Sequence, residues 1–427
     1  MFKKPLSGLA VNICGAYLIL YYLVPLSVGF FYEYSYLEAY KGSPQFFYVL
    51  PAAILYFICF LFIYKNIPEI TTPLKKLHVR TFSRPYFNFL ITVLFLYFSV
   101  KFYFEYGLSY RQVGSVISES AGYVILLTIL KIYFSMFIFC KLADLSFDLK
   151  LHKVDVITLL LGSLSFYFSS SAAFDMLKIL VSLLLVFMFY SNLNVFVVQY
   201  RKISYFRGVL KAIVYALILT FSFVAILYFG LANKMGYDGA YELIFGGTLF
   251  QFIVVPLSRL SVHFYTLAYH LTYNIFNFDF QLESLSNVIE NLAFRLSHLF
   301  GLDYQKPDVV SSARLNSLSI YYDPRDRNGA TPGLLGSIFF IPFFPFSVFI
   351  SIYYVSFILK KMEQICNKDK RVSIISILYI VSLVQAFTDA QIDVLNFVGV
   401  SGVSLFLLYL AWFDRPEFRI SSITHIT

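Results

Sequence analysis

The residues able to do chemistry gather in one interval, about Gly230 to Pro332, the one long stretch that is not continuously apolar, with seven basic residues and three of the six histidines. From Pro256 to Phe276 the chain reads PLSRLSVHFYTLAYHLTYNIF. Arg259, His263, Thr266 and His270 recur there at i, i+4, i+7 and i+11, so a helix presents them on one face. An arginine fork binds phosphate through two parallel hydrogen bonds, and a histidine one turn away takes a proton near neutral pH. Snorkelling to a membrane interface is the plainer use of such side chains. Three of them on one face of an apolar helix are nonetheless expensive to place without a function. His263 and His270 are separated by about 10.5 Å of helical rise, too far to share one ion at about 2 Å. No HExxH, CxxC or DxD run occurs, and the expected chemistry uses neither metal nor cofactor.

A second cluster is YYDPRDRNGATPG at Tyr321 to Gly333. Asp323, Arg325, Asp326 and Arg327 stand beside Asn328 and Gly329, and Thr331, Pro332 and Gly333 open the next apolar run. Backbone amides at a Gly-rich helix start, with two guanidiniums, suit a pyrophosphate; the bland alternative is a charged loop with Pro at a helix start. Arg111 is a lone guanidinium in EYGLSYRQVGSVISES. Arg295 and His298 fall on the polar side of a helix expected from Gln281 to Phe300, opposite an apolar stripe of Leu282, Leu285, Ile289, Leu292, Leu296 and Leu299. That amphipathic pattern suits a helix lying on a membrane surface and lidding a cavity. Asp389 and Asp393 in FTDAQID lie one turn apart; they either keep a tight turn in water or supply a general base. Lys131 and Lys178 fall inside apolar spans, where ionisable residues are functional candidates by default.

The elements that must position these groups are membrane helices. With 59% hydrophobic and 13% charged residues over 427 positions, the chain has too little polar surface to be a soluble domain. Aromatic residues make up 20%, which fits lipid-facing and interfacial Phe and Tyr or a groove for sugars or lipid. The formal charge of +9 is spread over loops facing anionic headgroups and forms no stripe for nucleic acid. Cys14, Cys59 and Cys140 sit in apolar runs and Cys366 in a basic loop, so no disulfide framework is implied. Runs near the 20-residue crossing length occur at about 9–31, 46–64, 86–104, 121–140, 155–170, 174–198, 209–229, 333–358, 373–389 and 393–413, ten in all. The first, preceded by Lys3 and Lys4 and followed by no A-x-A pattern, reads as a retained signal anchor. With the N-terminus inside, 21 Lys and Arg fall on inner loops and no short outer loop holds more than two, which sets the orientation. The run at 244–257 is too short for a crossing and is expected to be re-entrant or interfacial. The expected fold is an all-α polytopic integral membrane protein of about ten transmembrane helices. Residues 1–229 make an N-terminal bundle of about seven spans, 230–332 a large periplasmic loop containing amphipathic helices and the active-site region, and 333–427 a C-terminal bundle of about three spans with a tail. Both termini are expected in the cytoplasm.

On these features the chain resembles the Wzy-type O-antigen and capsular polysaccharide repeat-unit polymerases. The resemblance rests on aromatic-rich spans, one large external loop in the second half, and GATPGLLG at Gly329 to Gly336, similar to the family's motif where that loop meets the membrane. Some members carry an Arg and a Gly with ten residues between them in two external loops, a spacing found here from Arg111 to Gly122 and from Arg325 to Gly336. The first arginine departs from the family in lying in a short loop after the third span. The resemblance implies a metal-independent glycosyltransferase of the bacterial inner membrane. Its donor would be a growing glycan on undecaprenyl pyrophosphate, its acceptor a lipid-linked repeat unit, and its partner a chain-length regulator of the Wzz kind. Arg259, Arg325 and Arg111 would hold pyrophosphate, with Arg295, Arg327, Gly329, Thr331 and Gly333 alongside. His263 or His270 would deprotonate the acceptor, with Asp389 in reserve. An O-antigen ligase shares this membrane plan. A flippase or transporter for lipid-linked sugars would need paired repeats and deeply buried charges.

Overall fold

The computed structural model describes residues 8–26, 39–68, 84–106, 121–145, 152–169, 237–242, 244–246, 249–299, 312–323 and 330–366, parts of 377–389, and isolated positions between 179 and 232. Among the described residues the chain is helical and forms no strand beyond an isolated bridge between Tyr40 and Tyr321. Three helices among the described residues are long and apolar enough to cross a bilayer: α1 (Leu9–Leu26), α2 (Val49–Asn66, entered through a short turn at Phe46–Tyr48) and α3 (Pro85–Tyr106). They are followed by α4 (Ala121–Leu145), α5 (Lys153–Phe168), α6 (Leu249–Tyr273), α7 (Phe278–Leu299), α8 (Ser312–Ile320) and α9 (Phe346–Cys366). The expected spans 174–198, 209–229 and 393–413 lie wholly or largely outside the described residues, and 373–389 only partly within them.

Helix α3 carries its polar residues inward and large apolar ones outward. On α3 the buried positions are Asn88, Thr92, Phe95, Ser99 and Phe102, one helical face, while Leu90, Leu94, Tyr97 and Phe104 are exposed. In water that arrangement would be unstable; in hydrocarbon it is the favourable one, because polar groups must find partners inside the protein. Tyr133 on α4 accordingly donates to Asn88 Oδ1 at 2.8 Å, and Lys141 at the end of α4 pairs with Asp155 at the start of α5 at 2.9 Å. Asp155 also caps its own helix, since its carboxylate accepts from the His152 amide while Val154 N–H donates to His152 Nδ1.

Side-chain contacts gather the helix ends into two groups. Glu363, near the end of α9, accepts from the amides of Gly8 (3.1 Å) and Ala10 (2.6 Å) at the start of α1 and from the Tyr64 hydroxyl at the end of α2. A carboxylate at a helix N-terminus satisfies otherwise orphaned amides and opposes the helix dipole. Lys361 reaches the Pro68 carbonyl at 2.8 Å, and Lys360 lies over the Tyr64 ring. Three segments assigned to one side of the membrane by their Lys and Arg content thus meet at one end. At the other end the loop before α2 joins α6 and α8. Lys41 donates from its amide to Ile320 and from Nζ to Leu318, both at 2.7 Å, and Gln45 N–H meets Thr272 Oγ1 at 3.0 Å.

Two elements differ from the sequence expectation. Helix α6 starts at Leu249, so the short apolar run and the polar-row helix are one continuous element; Pro256, its eighth residue, removes one ladder donor without ending the helix. Conversely, the run expected as a single span from 333 is broken. It begins with one turn at Gly333–Gly336, passes through a tighter turn at Ser337–Phe340, and re-forms a long helix only at Phe346. Pro342 and Pro345 remove ladder donors and clash with the preceding turn, and Phe343 between them takes φ 71°. Residues Gly333 to Phe340 are all buried. Irregular backbone at such depth is tolerated only when protein covers it.

Candidate functional site

The row read from the sequence is a real inner face. His263, Thr266 and His270 on α6 are all buried, and each meets a different part of the chain. Arg259 occupies α6 one turn before His263 and shares that face by register; only its backbone position is described.

Gly333 packs directly on His263. Its φ of 75° lies in the left-handed region, and a Cβ there would fall 2.6 Å from His263 Nδ1 and 2.9 Å from the Tyr22 hydroxyl. Glycine is required twice over, for the backbone angle and for the space. Gly336, one turn on, is equally tight, since a Cβ would lie 2.7 Å from Thr266 Cγ2. The GLLG turn is therefore keyed into the His263–Thr266 face of α6. Thr331 and the buried Ala330 lead into it.

Helix α1 closes this site from the other side. A π-helical turn at Ile19–Leu23 holds two consecutive tyrosines inward, and widened turns of this kind recur at functional sites. The Tyr21 ring lies 4.2 Å from that of His263, centroid to centroid, and the Tyr22 hydroxyl accepts from Leu335 N–H at 3.2 Å. Tyr17 is 5.4 Å from Tyr21, and Asp389 lies within electrostatic reach of Tyr17.

His270 is held differently, and its proton can be placed by elimination. Asn316 on α8 approaches the Ala330 carbonyl at 2.8 Å, which only an amide nitrogen can satisfy, so Nδ2 faces Ala330 and Thr266 Oγ1 (3.0 Å). Oδ1 then faces His270 Nε2 at 3.1 Å, and that nitrogen carries the hydrogen. Nδ1 accepts from Asn274 Nδ2 at 2.8 Å, and Asn277 donates to Asn274 Oδ1. The rings of Phe280, Phe339 and Phe340 surround the imidazole at 5.2–5.6 Å. Burial pushes His270 down to about 4, with the Asn316 bond opposing the shift. A neutral imidazole with both nitrogens engaged fixes its neighbours in place.

Arg295 lies on α7, with only its backbone described, and Arg111, Arg325, Arg327 and Gly329 lie outside the described residues. Tyr21, Tyr22 and Asn316 were not foreseen. The tyrosines sit in a run where every residue is apolar or aromatic, and no local signal separates an inward from a lipid-facing ring. Asn316 carried a faint signal as an amide inside a short helix of otherwise ordinary composition. Among the described residues no group of three or more His, Cys, Asp or Glu side chains is disposed to hold a metal ion.

Comparison of the chain with protein-family models, curated proteins and solved structures finds no match.

Proposed function

We propose that this chain is a membrane glycosyltransferase that polymerises undecaprenyl-pyrophosphate-linked repeat units into O-antigen or capsular polysaccharide on the outer face of a bacterial inner membrane. One observation supports the reading above the rest. The GATPGLLG segment that carries the family resemblance packs, through Gly333 and Gly336, onto His263 and Thr266 of the helix that bears Arg259. Two features singled out separately in the sequence thus belong to one place.

In this reaction the acceptor sugar hydroxyl attacks the anomeric carbon of the donor glycan. The bond from that carbon to the lipid pyrophosphate breaks, its electron pair leaves with the pyrophosphate, and the hydroxyl proton passes to a base. The chief demand is positive charge on the leaving group, which Arg259, Arg325 and Arg111 would meet, with Arg295 and Arg327 as further candidates. His263 is the favoured base and Asp389 the reserve, acting from beyond Tyr17. His270 and Asn316 hold α6, α8 and the segment before Gly333 in register. Tyr273 and Tyr322, exposed beside the Lys41–Gly42–Ser43 turn, offer ring faces to the apolar faces of sugars. A chain-length regulator would act on the assembled enzyme.

The test is polysaccharide length on gels from a strain carrying chromosomal variants, with protein level checked by immunoblot. Arg259→Ala and Arg325→Ala should each abolish chain extension and leave single repeat units on the surface; Lys at either site should restore it only in part, because the bidentate fork is lost. Wild-type length in both Ala variants would overturn the site assignment. Loss of all surface polysaccharide on gene removal, single units included, would indicate a ligase.

A further inference from the structure

Helix α7 divides its surface into three sectors, and the division identifies the medium on each side. With successive residues about 100° apart around the axis, Gln281 and Ser284 share the inner sector and are almost fully buried. Gln281 reaches the Phe344 amide at 3.5 Å, and Phe280 beside it contacts Phe340 of the broken segment. The outward half splits again. Phe278, Leu282 and Ile289 fall within about 40° of one another and are 45%, 42% and 57% exposed. Asp279, Glu283, Ser286 and Glu290 occupy the adjoining sector, also exposed, with Ser286 donating to Glu290 at 3.0 Å.

Burying Gln and Ser while exposing Leu, Ile and Phe is the wrong way round for a helix with water on its whole outer side. The apolar flank also does not stand alone. Phe276, just before α7, is 90% exposed, and the Phe278 ring meets Phe343 at 5.7 Å. Phe343 leads to Phe346, the first residue of α9, whose exposed positions Phe346, Phe349, Ile350, Tyr353 and Phe357 form one stripe along a helix packed on α2. The apolar flank of α7 is thus continuous with the outer surface of a helix packed against a membrane-length neighbour, and the acidic flank turns away from it.

We infer that α7 lies in the membrane–water interface with the Phe276, Phe278, Leu282, Ile289 flank covered by bilayer lipid and the Asp279, Glu283, Glu290 flank in water. The Pro342–Pro345 turn anchors it there through Phe343. Phe280, on the side of α7 away from that flank, contacts both His270 and Phe340, so the helix is held against the His270–Asn316 network on one side and covered by lipid on another. The inference is independent of the reaction the protein performs.

Fluorescence from single tryptophans tests it. The one native tryptophan, Trp412, is replaced by Phe in the full chain, and Leu282→Trp, Ile289→Trp, Glu283→Trp and Glu290→Trp are reconstituted separately into phosphatidylcholine vesicles with or without acyl-chain bromine. Tryptophan at 282 and 289 should lose roughly half its emission to bromines placed near the headgroup and less to bromines deep in the chain, as expected of burial about 5–10 Å into the boundary region. Tryptophan at 283 and 290 should be unaffected. Equal quenching on the two flanks, or none at 282 and 289, overturns the inference. Absence of quenching at 282 and 289 together with a detergent-solubilised particle of two chains would assign the flank to a second copy instead.

Discussion

Replacing Asn316 with alanine removes a side chain that is fully buried and makes three hydrogen bonds, to Thr266, Ala330 and His270. Thr266 keeps a hydroxyl able to turn elsewhere, but the His270 Nε2–H, beside the Phe339 and Phe340 rings, and the Ala330 carbonyl each lose their Asn316 partner. Each buried orphan costs about 1–3 kcal/mol, so the substitution should destabilise the protein by about 4 kcal/mol. The same reasoning requires that the loss depend on His270. In a His270→Phe background one orphan no longer exists, and Asn316→Ala should cost less by roughly 1–2 kcal/mol, whereas distant residues would simply add. The measurement is a double-mutant cycle on purified protein unfolded by SDS titration in mixed micelles. A cost for Asn316→Ala below about 0.5 kcal/mol, within the range of an ordinary surface change, would refute the proposed hub. So would strict additivity with His270→Phe, because it would mean the two side chains do not share a bond.

Because His270 is held near 4 against an ordinary value of about 6.5, the unfolded chain takes up a proton that the folded chain refuses. The His270 contribution to stability is complete above about pH 6.5 and falls as pH drops towards 4, by up to roughly 3 kcal/mol, and this component of the slope should be missing in His270→Phe when unfolding is followed from pH 7.5 to 4. Gly336→Ala should destabilise by about 1–3 kcal/mol through overpacking against Thr266 Cγ2; adding Thr266→Ser, which removes that methyl and keeps the hydroxyl for Asn316, should recover most of the loss in the melting temperature. Gly333→Ala has no such remedy, since φ 75° and the Tyr22 hydroxyl both oppose it, and its expression as folded protein by size-exclusion profile should fall below that of Gly336→Ala. Glu363→Ala orphans the Gly8 and Ala10 amides and should cost about 2 kcal/mol, with Glu363→Gln intermediate; proteolysis near the N-terminus, faster in the Ala variant, is the readout.

Composition alone set the expectation of a lipid-facing outer surface, because residues so rich in Phe, Tyr, Leu and Ile cannot be covered by 13% charge, and three helices of membrane length among the described residues are compatible with it. The spacing of His263, Thr266 and His270 decided that they share a face, since a helix converts sequence separation into angle without help from the rest of the chain. Lys and Arg counts grouped the starts and ends of α1, α2 and α9, and the Glu363 cluster brings those same ends together. What the face of α6 touches is a different kind of question. That Gly333 rests on His263, that Asn316 binds His270 from 46 residues away, and that Tyr21 and Tyr22 complete the site from the first helix depend on which segments pack together. Local sequence does not encode that, because a glycine, an asparagine or a tyrosine pair is compatible with many neighbours. The break at 333–345 was half legible: its prolines stand in the sequence, but an apolar run reads as a span until tertiary packing shows that the irregular backbone has a protein wall, not lipid, against it.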